Sequence, residues 1–560
     1  MRRALRLLLG CAAVATAQAA APTFNRDVAP IVFQHCVACH HPEGGAPFPL
    51  TTYREVKKHA QQIVKVTGAR LMPPWLPMPG HGDFIGARVL TDEQIATLVS
   101  WAKSGLAEGA PEDLQAKAGW SNDWQLGKPD LVVTMPEPYT LPAAGPDVYR
   151  NFVIPSVVPQ DRYVVAFELR PSPATAVHHA FLLLDSSGGA RQLDAQDPGP
   201  GFGGMNAGPE TAAPAGTFAS WQPGSRPEQR PEDMAWVLRG KADLVLQLHM
   251  RPTGKREKVQ TSVALYFTDR APTRRPFMMN LRTLAIDIPA GDANYAVERS
   301  YPLPVDGDVL SVLPHLHYLG KEARAWAELP DGTQRDLLWI PRWDFNWQGA
   351  YRYTEPVPLP RGAVLHMRYV YDNSKDNPRN PHQPPQRVRF GLQSSDEMGE
   401  FWLQFLPRRE ADLPVLARDF ITQVRLPDKI AFCQWQLEHD AKDATARAEL
   451  ASAYLTAGRR DDAIREALQA AADNPKTPRA HLILGHAYAG NNQLPEARAA
   501  FEALVALQPE SLEAQNNLGY LLLVEGRPDE AIPHLEKALS INPNDVLAKQ
   551  NLEKARAAKK

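Results

Sequence analysis

The sequence LGHAYAGNNQLPEARAAFEALVALQP at residues 484–509 is followed 34 positions later by LGYLLLVEGRPDEAIPHLEKALSINP at residues 518–543. Gly485 and Gly519 occupy equivalent places in the two stretches. The same interval relates three further sets: Ala463, Ala497 and Ala531; Tyr454 and Tyr488; and Pro475, Pro509 and Pro543. Small residues that recur in this way allow paired helices to cross closely, and each proline ends a unit. The period therefore predicts a stack of antiparallel helix pairs.

This C-terminal region, residues 441–560, resembles the tetratricopeptide repeat. The resemblance implies an all-α solenoid with two antiparallel helices per unit, three units and a last capping helix. Stacked helix pairs form a concave surface, so we expect the solenoid to dock a protein partner or to present a substrate. Structural capping of the preceding domain is the alternative role.

The region from residue 128 to residue 407 has the composition of a β protein. Proline, which is excluded from helix interiors and central strands, makes up 52 of the 560 residues of the chain. We expect an all-β sandwich or jelly-roll architecture with two modules, at residues 128–280 and 281–407, followed by a connector at residues 408–440. Asp331-Gly332 predicts a hairpin turn. Short apolar, β-branched and aromatic runs predict strands at residues 163–169, 177–184, 243–249, 262–267, 309–317, 323–329, 364–371, 387–391 and 400–406.

The N-terminal residues have the composition of an export signal. Arg2 and Arg3 precede a short apolar run, and Ala17-Gln18-Ala19 provides an Ala-x-Ala cleavage site. We therefore expect removal of residues 1–19 and a periplasmic or secreted protein. No later segment has about 18 uninterrupted apolar residues, which predicts no transmembrane helix. The net charge of −2, from 61 basic and 63 acidic residues, favours neither a nucleic acid nor an anionic membrane as partner.

Cys36-Val37-Ala38-Cys39-His40 has the C-x-x-C-H spacing of covalent haem attachment. Two thiols at this spacing can form thioethers with haem, and His40 can then bind the iron. A thioredoxin-like redox dithiol would follow a βαβ pattern, which the preceding residues do not show, and zinc is a third interpretation. Export fits the assembly of a c-type haem.

The surroundings of this motif resemble small c-type cytochromes. Residues 23–30 are expected to form a helix that runs into the motif, and Thr91 is expected to cap a later helix that ends near Gly105. The resemblance implies a small all-α cytochrome c domain at residues 20–118 that binds haem c. It also implies Met72 as the sixth ligand of the iron, with Met78 as the alternative.

Five histidines and one methionine of the β region stand out: His178, His179, His249, His315, His317 and Met398. Alternate residues of a strand share a face, so His315 and His317 can reach one metal from a single strand. Adjacent residues point to opposite faces, so His178 and His179 converge only at a bulge or a strand end. Three imidazoles suit copper or zinc. Two imidazoles with a thioether favour copper, because methionine sulfur is a soft ligand. No carboxylate occurs at comparable spacing, which argues against a facial-triad iron site.

The order His-His, Leu-Gln-Leu-His, His-x-His and Asp-Glu-Met resembles the copper type II monooxygenases, the family of peptidylglycine α-hydroxylating and dopamine β-monooxygenases. The segments PHLHYLG (residues 314–320), WDFNWQ (residues 343–348) and YDNS (residues 371–374) support the resemblance. It implies two jelly-roll halves that carry one copper each. His178, His179 and His249 would bind the electron-relay copper. His315, His317 and Met398 would bind the copper that activates O2 and abstracts hydrogen from a substrate C–H bond.

Three positions depart from the peptide-amidating members of that family. Where the resemblance places an arginine, an asparagine and a tyrosine that hold the substrate, this chain has Leu313, Glu400 and Trp402. Glu400 would repel a carboxylate, so a glycine-extended peptide is not the expected substrate. An apolar or cationic organic substrate is expected instead.

The resemblances together imply an exported copper monooxygenase that hydroxylates an unidentified organic substrate with O2. The fused haem c would relay electrons to the copper at His178, His179 and His249, replacing or supplementing an external electron donor such as ascorbate. Two alternatives stay open. One is an electron-transfer or copper-handling protein without hydroxylase activity. The other is a repeat-based scaffold whose redox domains sense oxygen or copper.

Overall fold

The computed structural model describes residues 21–119, 123–208 and 211–559. The expected export signal at residues 1–19 lies outside the described residues. The chain divides into two compact units, each built from more than one stretch of sequence. The first contains the residues up to Trp75, Gly86–Pro214 and Phe218–Pro272, and the second contains Leu76–Ile85, Ala215–Thr217 and the residues from Thr273 onward. Among the described residues, no helix has both the length and the apolar character that crossing a membrane requires.

The first unit begins with a helical region that carries the C-x-x-C-H motif. Its helices are α1 (Ala29–His35), α2 (Tyr53–Lys58), α3 (Ala60–Gly68) and α4 (Asp92–Lys103). A single π-helical turn, Phe24–Val28, precedes α1, so the helix expected at residues 23–30 is divided at Ala29. Thr91 caps α4 as expected: its hydroxyl accepts from the Gln94 amide, and the Gln94 side chain accepts from the Thr91 amide. Apolar side chains of these helices share one core.

The rest of the first unit is rich in β-structure, as predicted. Its elements are β1 (Leu131–Thr134), β2 (Tyr139–Leu141), β3 (Val148–Ile154), β4 (Arg162–Arg170), β5 (Val177–Asp185), α5 (Gly189–Asp194), β6 (Phe202–Gly203), β7 (Ser220–Trp221), β8 (Trp236–Leu238), β9 (Asp243–Met250), β10 (Glu257–Val259) and β11 (Ser262–Thr268). One sheet has the order β1-β11-β4-β8, the second has the order β6-β3-β9-β5-β7, and β2 pairs with β10. Both larger sheets are antiparallel, and side chains of both line one hydrophobic core. This core holds β5 and β9, the strands that carry three of the histidines.

The second unit contains another β-rich region. Its strands are β12 (Phe277–Arg282), β13 (Asp287–Ile288), β14 (Tyr295–Pro302), β15 (Gly307–His315), β16 (Gly320–Glu328), β17 (Gln334–Ile340), β18 (Tyr351–Leu359), β19 (Val364–Tyr371), β20 (Val388–Arg389) and β21 (Glu400–Pro407). The two main antiparallel sheets have the orders β12-β21-β15-β18 and β14-β19-β16-β17. β16 and β17 are joined at Asp331-Gly332, where a hairpin turn was expected.

β15 ends at His315, two residues before the end of the strand expected at residues 309–317. The His317 amide donates to the Glu397 carboxylate at 2.9 Å rather than to a neighbouring strand. The prediction that both histidines lie on one strand is therefore wrong, because a buried carboxylate takes the backbone donor just past the strand end. The strand expected at residues 387–391 is also shorter, since β20 has only two residues.

A short segment far upstream, Leu76–Ile85, belongs to the second unit. The Met78 amide donates to the carbonyl of Trp339 in β17 at 2.7 Å, and the Ile85 amide donates to the carbonyl of Arg352 in β18 at 2.8 Å. His81 adds a side-chain contact, because its Nδ1 lies 2.6 Å from the Asp336 carboxylate. The segment is thus tied to two strands of this unit through backbone and side chain.

The residues after β21 are helical. The connector expected at residues 408–440 contains α6 (Leu413–Phe420) and α7 (Leu426–His439). The remaining helices are α8 (Ala444–Thr456), α9 (Arg460–Asp473), α10 (Pro478–Gly490), α11 (Leu494–Leu507), α12 (Leu512–Val524), α13 (Pro528–Ile541) and α14 (Val546–Ala558). They form the three predicted pairs and the predicted last helix.

The glycines that define the 34-residue period lie where paired helices touch. A Cβ atom at Gly485 of α10 would lie 2.3 Å from the ring of Phe501 in α11. A Cβ atom at Gly519 of α12 would lie 2.7 Å from the side chain of Leu535 in α13. Close helix approach therefore explains why glycine recurs at this interval.

Candidate metal centres

Three histidines of the first unit converge at a bulge in β5. The pairing of β5 with β9 shifts between Val177 and His179, and beyond the shift His179 lies opposite His249. A bulge turns the side chain of the extra residue towards the face of its neighbour. The structure therefore confirms the expectation that His178 and His179 converge only where the strand is irregular.

The three imidazoles present their nitrogen atoms to one point. His178 Nδ1 lies 3.2 Å from His249 Nδ1 and 3.3 Å from His179 Nδ1. One ligand nitrogen from each ring can be chosen so that all three lie within 4.8 Å of one another. Imidazole nitrogens bound about 2.0 Å from one tetrahedral metal are about 3.3 Å apart, so the observed spacing fits a shared ion.

The surroundings of His178 favour its neutral form. Burial, with smaller contributions from the nearby His249 and Arg251, lowers the pKa of His178 to about 4 against the opposing charge of Asp147. His249 is only 1% exposed, and its Nε2 lies 2.7 Å from the Asp147 carboxylate. Burial alone would raise the pKa of Asp147, but the hydrogen bond from His249, together with the electrostatic effects of His249, Arg251 and His178, lowers it. Neutral imidazole is the form that binds a metal.

The second group of candidate ligands follows the end of β15 in the second unit. The rings of His315 and His317 are 5.1 Å apart and nearly perpendicular. His315 Nδ1 donates to the side-chain oxygen of Gln348 at 2.5 Å, and His317 Nδ1 donates to the carbonyl of Asp396 at 3.0 Å. Both partners are acceptors only, so each Nδ1 carries the proton and each Nε2 keeps its lone pair for a ligand.

Met398 is held beside these histidines by a buried carboxylate. Glu397, which is fully buried, accepts the backbone amides of His317, Leu319 and Met398 itself. Burial raises the pKa of Glu397 to about 8, against the lowering effect of the amide donors. The Tyr371 hydroxyl of the opposite sheet donates to the Met398 carbonyl at 2.8 Å. The turn with both histidines and the loop with the methionine are thus fixed to one another.

Burial also controls the protonation of His317. Burial, with a smaller contribution from the neighbouring His315, lowers the pKa of this imidazole to about 3. At neutral pH, His317 is therefore uncharged and able to bind a metal through Nε2. A thioether and two imidazoles form a donor set with soft character.

The C-x-x-C-H motif lies at the C-terminal end of α1. Cys36 caps the helix, and the His40 amide donates to the Cys36 carbonyl at 3.0 Å. His40 Nδ1 donates to the Phe48 carbonyl at 2.8 Å, which leaves Nε2 free to bind iron. Both cysteines are free thiols, and burial raises the pKa of Cys36 to about 12. The donor set therefore fits a haem attached through two thioethers.

The two methionines considered as sixth ligand lie in different units. Met72 is half-buried in the first unit, which also holds His40, and its amide donates to the Val66 carbonyl. Met78 lies in the Leu76–Ile85 segment of the second unit and is 36% exposed. Sharing a unit with His40 favours Met72.

Sequence reasoning missed several residues that position these groups. Asp147 lies 102 positions before His249, and no spacing rule relates them. Gln348 ends the WDFNWQ segment, but its contact with His315 follows only from the fold. Gly224 was also missed: a Cβ atom there would lie 2.5 Å from the Cys39 sulfur, so only glycine allows this loop to approach the motif. Its φ of +82° also favours glycine.

Comparison with known proteins identifies the C-terminal helices. Residues 448–496 and 484–546 match the family model of the tetratricopeptide repeat. The chain is therefore a multidomain protein with a β-rich region and C-terminal tetratricopeptide repeats, as the 34-residue period predicts. Such repeats bind protein partners.

Two solved structures each match a part of this chain. The crystal structure of MamA protein is 25% identical, with a TM-score of 0.23, and the match covers 24% of this chain and 74% of that chain. The first TPR domain of the human RPAP3 protein is 23% identical, with a TM-score of 0.20, over 21% of this chain and 91% of that chain. No curated protein matches this chain.

Proposed function

We propose that this chain is an exported copper-dependent monooxygenase with a fused c-type cytochrome domain. The observation that carries the proposal is the presence of two groups of metal-binding side chains, both built with supporting hydrogen bonds. His178, His179 and His249 converge within 4.8 Å in the first unit. In the second unit, His315 and His317 keep Nε2 available, and the Glu397 carboxylate accepts the backbone amides of both His317 and Met398.

The chemistry of the donors favours copper at both places. Imidazole nitrogens suit copper and zinc equally, but the thioether of Met398 is a soft ligand that selects copper, above all in its reduced state. Neither group contains a carboxylate that faces the shared nitrogens, as a site for magnesium, calcium or non-haem iron would require. Asp147 and Gln348 contact only the ring nitrogens on the far side, where they fix the orientation of His249 and His315.

Bound copper would supply one-electron transfer and O2 activation. His178, His179 and His249 would hold the electron-relay ion, and His315, His317 and Met398 would hold the ion beside which the substrate reacts. In the net reaction, R–H, O2, two electrons and two protons give R–OH and H2O, so one C–H bond breaks and one C–O bond forms.

The motif in the helical region provides a route for the two electrons. Cys36 and Cys39 would attach haem c through thioethers, with His40 and Met72 as ligands of the iron. Bound haem would supply one electron at a time, which is what the dicopper reaction consumes. An external one-electron donor would reduce it. The hydrogen bond from His40 Nδ1 to Phe48 holds the imidazole in the tautomer that this role requires.

The proposal assigns a role to each part of the chain. Residues 20–118 form a small cytochrome c fold, and residues 128–407 form two jelly rolls, with the boundary expected at residue 280 moved to Thr273 so that β12 stays whole. Support for this comes from the two antiparallel sheets in each β-rich region. Residues 1–19 direct the protein to the periplasm or out of the cell. The repeats at residues 441–560 dock a protein partner.

The test is a determination of metal and haem content in the purified full-length chain. We expect two copper ions and one haem per chain. His249→Ala and Met398→Ala should each lose one copper, whereas the control His439→Ala, at an exposed histidine outside both groups, should keep both. A chain that takes up far fewer than two coppers, with no loss in His317→Ala or Met398→Ala, would refute the proposal.

Oxygen uptake distinguishes hydroxylation from the alternative of electron transfer or copper handling. Product analysis by mass spectrometry should find a gain of one oxygen atom in an organic substrate supplied with the copper-loaded chain. A chain that binds both coppers but consumes no O2 with any organic compound would instead be an electron-transfer or copper-handling protein.

A further inference from the structure

One face of the β12-β21-β15 sheet carries polar side chains that no role above explains. Residues directly opposite one another on neighbouring strands lie on the same face of the sheet. Along each strand, every second residue lies on that face. The strand pairing therefore places Asn280, Trp402 and Leu313 in one row across this face. The adjacent row contains Arg282, Glu400 and His315. His315, a proposed copper ligand, thus shares this face with Asn280.

The opposite face of the same strands forms the hydrophobic core of this region. Met279, Leu281 and Leu403 are the intervening residues, and they are fully or almost fully buried. Asn280 therefore points away from the core, on the face that bears His315.

Asn280 is buried without any hydrogen-bond partner. Asn280 is only 4% exposed, and neither its side-chain nitrogen nor its side-chain oxygen is hydrogen-bonded. Buried polar groups in proteins are almost always paired, so an amide with both ends unpaired needs an explanation. A bound molecule that offers one donor and one acceptor would satisfy both ends.

The neighbours of Asn280 define what such a molecule can be. Trp402 and Leu313, in the same row, are half-buried and offer an aromatic and an aliphatic surface. The Glu400 carboxylate already accepts from Trp402 Nε1 at 2.9 Å, and it lies 3.8 Å from the Arg282 guanidinium. Because this charge has partners, the face offers no free charge to a cation or to a carboxylate, and either ion would be buried there unpaired.

We infer that this face binds a neutral organic amide as the substrate. The N–H group of the amide donates to Asn280 Oδ1, its carbonyl accepts from Asn280 Nδ2, and its apolar body lies against Trp402 and Leu313 on the side of His315. The inference rests on the proposed function, because it takes this face as the substrate side of the His315, His317 and Met398 site. It replaces the expectation of a cationic substrate.

Binding to the metal-free full-length chain tests the inference without any requirement for copper or turnover. The probes are phenylacetamide, methyl phenylacetate, which lacks the N–H donor, and phenylacetate, which is charged. Affinities are measured by ligand-observed NMR titration. The variant is Asn280→Leu, which keeps the size of the side chain but removes both polar groups, and the control is Asn544→Leu at an exposed asparagine of the repeat region.

We expect the wild-type chain and Asn544→Leu to bind phenylacetamide at least about tenfold more tightly than either other probe. Asn280→Leu should lose this preference, yet unfold at a higher temperature than wild type, because it removes an unpaired buried amide. Equal binding of the three probes by wild type, or an amide preference that Asn280→Leu keeps, would overturn the inference. A copper titration of the same samples tests the proposed function separately. A chain that binds no copper would refute the proposed function but would not change the result obtained with the amide probe.

Discussion

His249 donates a hydrogen bond from Nε2 to the Asp147 carboxylate across 2.7 Å, and this bond directs the opposite ring nitrogen towards His178. Because the acceptor fixes the tautomer and orientation of the imidazole, Asp147→Ala should weaken copper binding at this group by about 10–100-fold. Competition with a copper chelator measures the affinity. Asp161→Ala, at an exposed carboxylate of the same unit, is the control, and equal affinities of the two variants would contradict the role given to Asp147.

The two methionines considered as the sixth ligand of a bound haem predict different electrochemical results. A thioether ligand raises the reduction potential of haem iron, so Met72→Ala should lower it. Met78→Ala should leave the potential unchanged, since the Met78 backbone is bonded to Trp339 of the second unit. A spectroelectrochemical titration of the haem-loaded chain makes the comparison. A potential that falls only in Met78→Ala would show that the assignment of the sixth ligand is reversed.

The repeat helices should not tolerate a methyl group at Gly485. The new Cβ atom would lie 2.3 Å from the Phe501 ring, so α10 and α11 must move apart. Gly485→Ala should destabilise the repeats by about 1–3 kcal/mol, measured by hydrogen exchange of these two helices. Gly68→Ala is the matched control in α3, where a Cβ atom meets nothing within 4 Å. There alanine should be neutral or stabilise by up to about 1 kcal/mol, because it favours the helix.

The carboxyl group of Asp185, at the end of β5, should make the stability of the folded protein depend on pH in the acid range. Burial alone would raise the pKa of this carboxyl, but hydrogen bonds from Ser187, Gly188 and Ala190 lower it below its ordinary value of 3.8. A folded-state pKa below the unfolded one adds stability above about pH 4, and this stability is lost as the pH falls through the folded pKa.

Asp185→Asn should therefore be less stable than wild type by about 1–3 kcal/mol at pH 7. The difference should shrink as the pH is lowered below 3.8, the ordinary value for this carboxyl. Urea unfolding across this pH range, followed by the fluorescence of the first unit, provides the measurement. Asp269→Asn, at an exposed position, serves as control, and a difference that does not change with pH would contradict the argument.

The parts of the fold that follow from local periodicity were predictable. Gly485 and Gly519 recur because each lies at a contact within one helix pair. A contact of this kind produces a periodic pattern that can be detected in one sequence. The convergence of His178 and His179 required a bulge, and the need for one could be stated in advance because side chains alternate along a strand.

The rest depended on contacts between residues far apart in the chain. β15 ends at His315 because the Glu397 carboxylate, 80 positions after His317, accepts the His317 amide. The unpaired state of Asn280 becomes visible only when every neighbouring donor and acceptor has been placed. Sequence patterns reveal the residues that can bind a metal, but not the side chains that orient them.

The segment Leu76–Ile85 has a consequence for biogenesis. The Asp83 carbonyl accepts the Thr354 amide, whose residue is synthesised 271 positions later. The segment therefore lacks these hydrogen-bond partners until most of the β-rich sequence has been synthesised. Truncation after residue 272 would deprive the segment of its strands, so this segment can fold into place only after β17 and β18 have been synthesised.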